Sequence, residues 1–177
     1  MEETIMIFID ASNLYFGALR FDKQFRLDYL KLVKELVRDR RLIRPYYFGS
    51  FNTFNPKTHD KQKKFHTFLE TNGFDVIAKP LRRRGNNLIE KGIDISMGVS
   101  MVVKALNKQY DTAVLVSGDD DLVDAVEEVK RAGSRVEVAM FSKNIGAKLR
   151  NSADECILLD DIADKIRKAK YLNIEEH

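Results

Sequence analysis

Cysteine and histidine are too scarce in this chain to build a disulfide scaffold or a zinc site. The one cysteine, Cys156, precedes apolar Ile157, which is typical of a small buried side chain rather than of a reactive thiol. The three histidines, His59, His66 and His177, are scattered and give no spacing at which zinc ligands occur. Both classes of protein are therefore excluded.

Long apolar runs are also missing. No segment approaches the length of a membrane span. The acidic start Met1-Glu2-Glu3-Thr4 leaves no room for the basic and apolar regions of a signal peptide. We therefore expect a cytoplasmic protein that does not associate with membranes.

Several common catalytic motifs are absent. No glycine-rich dinucleotide fingerprint follows the first apolar run, and the chain contains no P-loop. It has no serine elbow and no Cys/His pair suited to nucleophilic catalysis. The segment Asp10-Ala11-Ser12 lacks the second aspartate, two residues on, that a phosphoaspartate hydrolase needs. Any catalytic chemistry must come from another set of residues.

What the chain does contain is enough apolar material for one domain. Its 177 residues are 44% hydrophobic and 32% charged, which is ordinary for a globular protein. A chain of this length buries roughly 70% of its unfolded surface, so we expect residues 1–177 to form a single domain. The net charge of +3 says little about partners. The charges are nevertheless segregated, with basic residues between Lys79 and Lys91 and acidic residues between Asp119 and Asp124. Such segregation could provide a binding path for an anion next to the acidic cluster.

Apolar runs typical of buried strands alternate with helical patterns along the chain. This βαβα alternation predicts an α/β fold with three layers, in which helices cover both faces of a mostly parallel sheet. The predicted strands are Thr4 to Ile9, Arg44 to Phe51, Asp75 to Ala78, Thr112 to Ser117, Arg135 to Phe141 and Glu155 to Leu158. The predicted helices run from Ser12 or Asn13 to Leu19, Leu27 to Arg40, His59 to Asn72, Asp94 to Leu106, Leu122 to Arg131, Ile145 to Asn151 and Asp161 to Lys170.

Two of these segments carry a further expectation. Lys79 to Asn87 contains Pro80, three arginines and Gly85, and is predicted to be a mobile basic loop. The helix that ends at Leu106 is apolar on nearly all sides, so it is predicted to be buried.

Acidic residues stand at the starts of three predicted helices: Asp10, Asp94 and the run Asp119 to Asp121. If their strands are neighbours, these carboxylates converge at the carboxyl edge of the sheet, where ligands bind in open α/β folds. A hard divalent cation such as Mg²⁺ or Mn²⁺ is the usual means of keeping such carboxylates ionised together. Metals bound in this way hydrolyse phosphodiesters, and nearby basic residues would hold the nucleic-acid backbone.

The same acids have a second interpretation. Aspartate at a helix start is a routine N-cap, and spacing alone does not separate a cap from a metal ligand. Three roles remain possible for Asp154: a helix cap, a partner in a salt bridge or an outer member of the site. The arginine triplet stays open between a solvated loop and a binding element. Surface or capping roles are expected for Asp120, which should face solvent, and for Asp124, Asp160 and Asp161.

Three motifs occur in a fixed order along the chain. They are Ile7-Phe8-Ile9-Asp10-Ala11-Ser12-Asn13-Leu14, then Lys91-Gly92-Ile93-Asp94-Ile95, then Asp111-Thr112-Ala113-Val114-Leu115-Val116-Ser117-Gly118-Asp119-Asp120-Asp121-Leu122. Together with a late Ser152-Ala153-Asp154 segment, they make the chain resemble the NYN domain family from about Ile5 to Ile162. More closely, it resembles the LabA-like branch of single-domain PIN-like proteins.

The resemblance implies a PIN-like Rossmannoid fold and a ribonuclease that depends on Mg²⁺ or Mn²⁺. Its partner would be single-stranded or structured RNA, and assembly into a homo-oligomer is left open. Asn13 is implied to orient the phosphate or a metal-bound water. The implied metal-binding acids are Asp10, Asp94, Asp119 and Asp121, and the residues expected to contact phosphates are Arg82, Arg83, Arg84 and Lys91.

Two positions depart from the pattern of the family. Relatives often carry an acid six residues after the aspartate of the Lys-Gly motif, where this chain has Ser100. They often have a small residue between the last two acids, where this chain has Asp120. These departures leave the number of metal ions open.

Two alternatives to a ribonuclease remain. The chain could be a non-catalytic regulatory module that binds RNA or a protein partner with the same fold. It could also be a nuclease directed at DNA. The intact set of acids favours an enzyme, because a pure binding module has no reason to gather like charges.

Overall fold

A central parallel sheet is covered by helices on both faces. The computed structural model describes residues 2–169. Its strands are β1 (Thr4–Asp10), β2 (Arg41–Phe51), β3 (Asp75–Pro80), β4 (Arg82–Arg84), β5 (Asn87–Ile89), β6 (Thr112–Val116), β7 (Arg135–Met140) and β8 (Glu155–Leu158). Its α-helices are α1 (Ala11–Phe21), α2 (Tyr29–Val37), α3 (Pro56–Thr71), α4 (Ile93–Leu106), α5 (Val123–Arg131), α6 (Ala147–Ser152) and α7 (Ala163–Ile166).

The order of strands in the sheet is β3-β2-β1-β6-β7-β8, and every neighbouring pair is parallel. All six strands therefore end at the same edge. The predicted mostly parallel α/β fold is confirmed. Strands β1 and β6 lie side by side at the centre, where the direction of winding reverses, and this is the place at which open α/β sheets bind ligands.

The side chains of β1 show how the three layers are built. Ile5, Ile7 and Ile9 pack into one hydrophobic core under α1, α2 and α3. Met6 and Phe8 alternate with them and pack into a second core under α4 and α5. Successive side chains of a strand point to opposite faces, so a continuous apolar run is what a strand covered on both faces requires.

Several boundaries differ from their predictions. Strand β2 begins at Arg41, and α3 begins at Pro56, because the side chain of Asn55 caps this helix by accepting from the Thr58 amide at 3.1 Å. Proline is well suited to the first position of a helix, where its missing N–H has no partner to lose. The last predicted helix is a short 3₁₀ turn followed by α7, and its expected end at Lys170 lies outside the described residues.

The predicted mobile basic loop is wrong. Strand β3 continues to Pro80, and the arginine triplet forms β4, which pairs antiparallel with β5 in a small hairpin. Gly85 (φ +61°) and Asn86 make the two-residue turn between these strands. A Gly-Asn pair between two short strands is a known hairpin signal, because such turns need residues that tolerate positive φ.

The prediction that α4 is buried on nearly all sides is also wrong. Met97 and Met101 are fully buried on the sheet, and the neighbouring helix α5 covers a further part of α4. The outer face stays open to solvent. It carries four apolar side chains that are between 47 and 68% exposed, namely Ile95, Val99, Val103 and Leu106.

Cys156 lies partly buried in β8, and burial raises the pKa of its thiol. This environment agrees with the expected packing role. Across residues 2–169, no helix combines the length and the apolarity that crossing a membrane requires. The cytoplasmic location stays a prediction.

Candidate functional site

Three of the acids predicted to meet at the carboxyl edge of the sheet, Asp10, Asp94 and Asp119, line one cleft. Asp10 is the last residue of β1, and Asp119 follows β6, the strand paired with β1 through Ile9 and Val116. Asp94 lies in the first turn of α4, above the same edge. The cleft is open to solvent and has a volume of about 390 Å³. Its walls are formed by Asp10, Ser12, Asn13, Phe16, Arg20, Glu90, Gly92, Ile93, Asp94, Asp119 and Asn144.

Asp10 is the most deeply placed of these acids, with 7% of its surface exposed. Its Oδ1 accepts from the Asn13 amide at 3.1 Å, which caps α1, and its Oδ2 accepts from the Ser117 hydroxyl at 3.0 Å. Burial raises the pKa of Asp10 to about 6, although both hydrogen bonds lower it; repulsion from Glu90 and Asp119 raises it further. Asp10 is therefore both a helix cap and a cleft carboxylate, so the two interpretations of this residue are compatible.

Asn13 connects α1 to the segment after β6. Its Oδ1 accepts from the amide of Gly118 at 2.9 Å, which leaves the amide nitrogen of the side chain as the group able to donate towards the cleft. The chain at Gly118 is so crowded that a Cβ there would lie 1.8 Å from the carbonyl oxygen of Asn144. Only glycine fits at this position.

The three consecutive aspartates have different positions. Asp119 is half-buried and lines the cleft, and its Oδ1 accepts from the Asp121 amide at 3.0 Å. Asp121 itself is exposed, and its side chain is not part of the cleft wall. The structure therefore brings together Asp10, Asp94 and Asp119, but not Asp121.

Asp120 does not face solvent, and that prediction is wrong. It is half-buried, and its Oδ1 accepts from the Leu149 amide at 2.8 Å in the first turn of α6. A side chain at Gly146 would collide with the Asp120 carboxylate. Asp120 thus holds α6 against the segment after β6. Asp154 has a similar structural role, since it accepts from the Val136 amide and pairs with Lys130.

The basic residues expected to contact phosphates lie outside the cleft wall. Arg82, Arg83 and Arg84 are exposed on β4, and the guanidinium of Arg83 lies over the Phe54 ring at 4.9 Å. Lys91 is exposed between two residues that do line the cleft. These side chains are exposed and could contact a nucleic-acid backbone beside the cleft.

Sequence reasoning missed four residues of the cleft: Phe16, Arg20, Glu90 and Asn144. Glu90 directly precedes the Lys-Gly motif, so its position was a usable signal. Lys79 was counted only as part of a basic region, yet its Nζ donates to the Gly92 carbonyl at 2.7 Å and to the Ser96 hydroxyl. It thereby fixes the start of α4 and the height of Asp94 above the sheet.

The donor set in the cleft suits a hard divalent cation. The candidate ligands are carboxylate oxygens, and the pKa of Asp10 is raised by burial first and then by repulsion from Glu90 and Asp119. Within residues 2–169, however, no three side chains of His, Cys, Asp or Glu form a group that could hold a metal ion as they stand. The acids thus fit such an ion by their chemistry, and holding it would require them to move closer together.

Comparison with known proteins identifies a family, a relative and a solved structure that resemble this chain. The family model of the NYN domain matches residues 4–160. The chain is 27% identical over 177 aligned residues to the Low amplitude and bright protein LabA of Synechococcus elongatus, with 94% of this chain and 89% of that protein covered. The crystal structure of VPA0982, a protein of unknown function from Vibrio parahaemolyticus, superimposes with a TM-score of 0.76 at 24% identity. The superposition covers 94% of this chain and 97% of VPA0982, and it shows that the two proteins share a fold.

Proposed function

Because the chain belongs to the NYN domain family, a family of PIN-like nucleases, we propose that it hydrolyses phosphodiester bonds of RNA in this cleft with the help of Mg²⁺ or Mn²⁺. The observation that carries the proposal is the convergence of Asp10, Asp94 and Asp119 on one open cleft. We assign the activity to the whole chain, 1–177, acting as one domain.

The cation would be held by Asp10, Asp94 and Asp119, with Glu90 beside them. We leave Asp121 out of this set, because its side chain is exposed and outside the cleft wall. The chemistry that a bound divalent cation supplies is the activation of water and the neutralisation of charge on the phosphate. Asn13 would orient the phosphate through the nitrogen of its side-chain amide.

The exposed basic residues would hold the RNA backbone beside the scissile bond. Lys91 lies at the rim of the cleft, and Arg82, Arg83 and Arg84 lie further out on the hairpin. Contacts of this kind add affinity without sequence preference and weaken as salt is added.

Labelled RNA incubated with the purified chain, with and without Mn²⁺, tests the proposal. We expect cleavage that needs the cation and that disappears in the double variant Asp10→Asn, Asp119→Asn. Asp124→Asn is a matched control, because Asp124 is an exposed acid on α5 outside the cleft, and this variant should cleave at the wild-type rate. Cleavage that persists in the double variant would overturn the assignment.

The second candidate is a regulatory module that binds RNA or a protein partner without turnover. It is favoured by the lack, within residues 2–169, of a preformed group of three metal ligands. Binding of both RNA and Mn²⁺ without any cleavage would support it. RNA and DNA of the same sequence, offered side by side, would separate a ribonuclease from a nuclease directed at DNA.

A further inference from the structure

Helix α1 presents a row of three side chains to the cleft, of which the proposed hydrolysis uses only Asn13. Asn13, Phe16 and Arg20 lie three and four residues apart, so they share one face of the helix, and all three line the cleft. The opposite face is buried and consists mostly of small residues: Ala11, Leu14, Gly17 and Ala18.

The ring of Phe16 is not required for packing. It is 55% exposed, and the neighbouring Tyr15 is 58% exposed. The two rings contact each other edge to face, with centroids 5.4 Å apart. Single exposed aromatic residues are common, but here the exposed ring that lines the cleft, Phe16, contacts a second exposed ring, Tyr15. An exposed aromatic face of this kind is the surface on which unpaired bases stack.

Arg20 places a cation one turn away from Phe16. Its Nη1 donates to Oδ1 of Asn144 at 2.6 Å, and the side-chain nitrogen of Asn144 in turn donates to the carbonyl oxygen of Asn13 at 3.4 Å. A guanidinium has five N–H donors in a rigid fork, so this contact orients the group and leaves further donors for a phosphate. Its positive charge lies on the wall of the cleft that Asp94 of α4 also lines.

The base of α1 is held firmly in place. Gly17 packs so closely on the end of β7 that a Cβ there would lie 3.0 Å from the sulfur of Met140. The start of the helix is tied to the site by the cap from Asp10. The backbone of α1 that carries Phe16 and Arg20 is therefore held in place relative to Asp10.

We propose that Phe16 and Arg20 form a subsite for one nucleotide, in which the Phe16 ring stacks on an unpaired base and the Arg20 guanidinium binds the adjacent phosphate. Tyr15 supports the ring from the side. The subsite rests on the proposed function for its location next to the scissile bond. With this subsite, the protein would recognise the base beside the scissile bond as well as the sugar–phosphate backbone.

The test measures binding by the full-length chain in a metal chelator, so that no cleavage occurs. The two probes are a fluorescent oligouridylate and an abasic ribose–phosphate oligomer of the same length and charge. We expect the wild type to bind the first probe on the order of tenfold more tightly, since stacking needs the base. Phe16→Leu should reduce this ratio to nearly one, and Phe16→Trp should preserve it.

Two further variants complete the design. Phe68→Leu changes an exposed aromatic residue on α3, away from the cleft, and should leave the ratio at its wild-type value. Arg20→Gln should weaken the binding of both probes by the same factor and lower the slope of affinity against salt by about one phosphate contact. Thermal unfolding of Phe16→Leu should match the wild type, because the ring is exposed.

The outcomes also separate the subsite from the nuclease. An unchanged ratio in Phe16→Leu, or equal binding of both probes by the wild type, overturns the subsite even if RNA is cleaved. A ratio that falls in Phe16→Leu supports the subsite even if the chain cleaves nothing, in which case the ribonuclease assignment alone fails.

Discussion

The hydroxyl of Ser117 donates a hydrogen bond of 3.0 Å to Oδ2 of Asp10, and it joins the ends of two strands that are 107 residues apart in the chain. Ser117 also accepts from the Asp119 amide through the same hydroxyl, at 3.2 Å. One buried serine thus contacts both of the acids that come from the central strands.

The activity should depend on pH through Asp10. Burial raises the pKa of this carboxyl to about 6, and only its ionised form attracts a cation. We expect cleavage to rise with pH through about 6 and then to level off. Mn²⁺ competes with the proton, so a higher Mn²⁺ concentration should move the midpoint to lower pH. If the pH midpoint of cleavage does not change with the Mn²⁺ concentration, this would contradict metal binding by Asp10.

Ser117→Ala should move that midpoint to higher pH. In the wild type, the hydrogen bond from the Ser117 hydroxyl lowers the pKa of Asp10. Removing this hydroxyl therefore raises that pKa, so Asp10 ionises at higher pH. It also leaves a buried carboxylate oxygen without this donor, which should cost about 1–3 kcal/mol of unfolding free energy. Urea unfolding and a pH profile of cleavage measure the two effects. Ser12→Ala, a neighbouring serine on the cleft wall, serves as the comparison and should not shift the midpoint.

Asp10→Asn should abolish cleavage while making the metal-free fold more stable near neutral pH. The folded-state pKa of Asp10 lies above its ordinary value of 3.8, so the neutral form favours folding, and this stability is lost as pH rises through about 6. The full effect is at most about 3 kcal/mol. Urea unfolding in a chelator should therefore show a larger gain for the variant at pH 7 than at pH 5. An equal gain at both pH values would show that the ionisation of Asp10 is not its cause.

Gly118→Ala should disrupt the site by a steric route. A Cβ would meet the backbone of Asn144 at 1.8 Å, and backbone cannot rotate away as a side chain can. We expect a loss of about 3 kcal/mol or more, or an unfolded protein. Gly98→Ala is the matched control, because its Cβ would lie 3.3 Å from the Ala125 methyl group, and its unfolding free energy should stay within about 1 kcal/mol of the wild type.

The two faces of α4 should respond differently to truncation. Met97→Ala removes a fully buried side chain and should cost about 2–5 kcal/mol. Val99→Ala, on the outer face, should change the unfolding free energy by no more than about 0.5 kcal/mol. Thermal or urea unfolding of both variants checks this, and a large loss for Val99→Ala would mean that another surface covers this face.

The sequence was sufficient to predict the parallel sheet and the meeting of Asp10 with Asp119. A continuous apolar run has one common solution, a strand covered on both faces, and parallel neighbours end at the same edge. The exposure of the outer face of α4 could not be predicted from the sequence, because the amino acids of a helix do not determine how many other elements pack around it. Only the assembled fold shows that the sheet and α5 leave the outer face open.

The aromatic and basic side of the cleft was missed for a related reason. Helical periodicity assigns α1 to the core through Leu14 and Ala18, and the residues between them look like ordinary surface. Asn144 lies on a short turn after β7, and its contact with Arg20 spans 124 residues of sequence, a distance over which no local pattern extends. The hairpin of the arginine triplet was predicted as a loop, although Gly85 and Asn86 between two short segments are a local signal for such a turn.

The placement of β6 next to β1 has a consequence for synthesis of the protein. Chains are made from the N-terminus, and parallel pairing of distant strands is among the slower steps of folding. Until the segment from Thr112 to Asp119 has left the ribosome, Asp10 lacks both Ser117 and its partner acid. A nascent chain therefore lacks Asp119 and Asn144 of the cleft wall while it is still beside its own messenger RNA. If the cleft cuts RNA, the order of the strands delays that activity until translation of the domain is nearly complete.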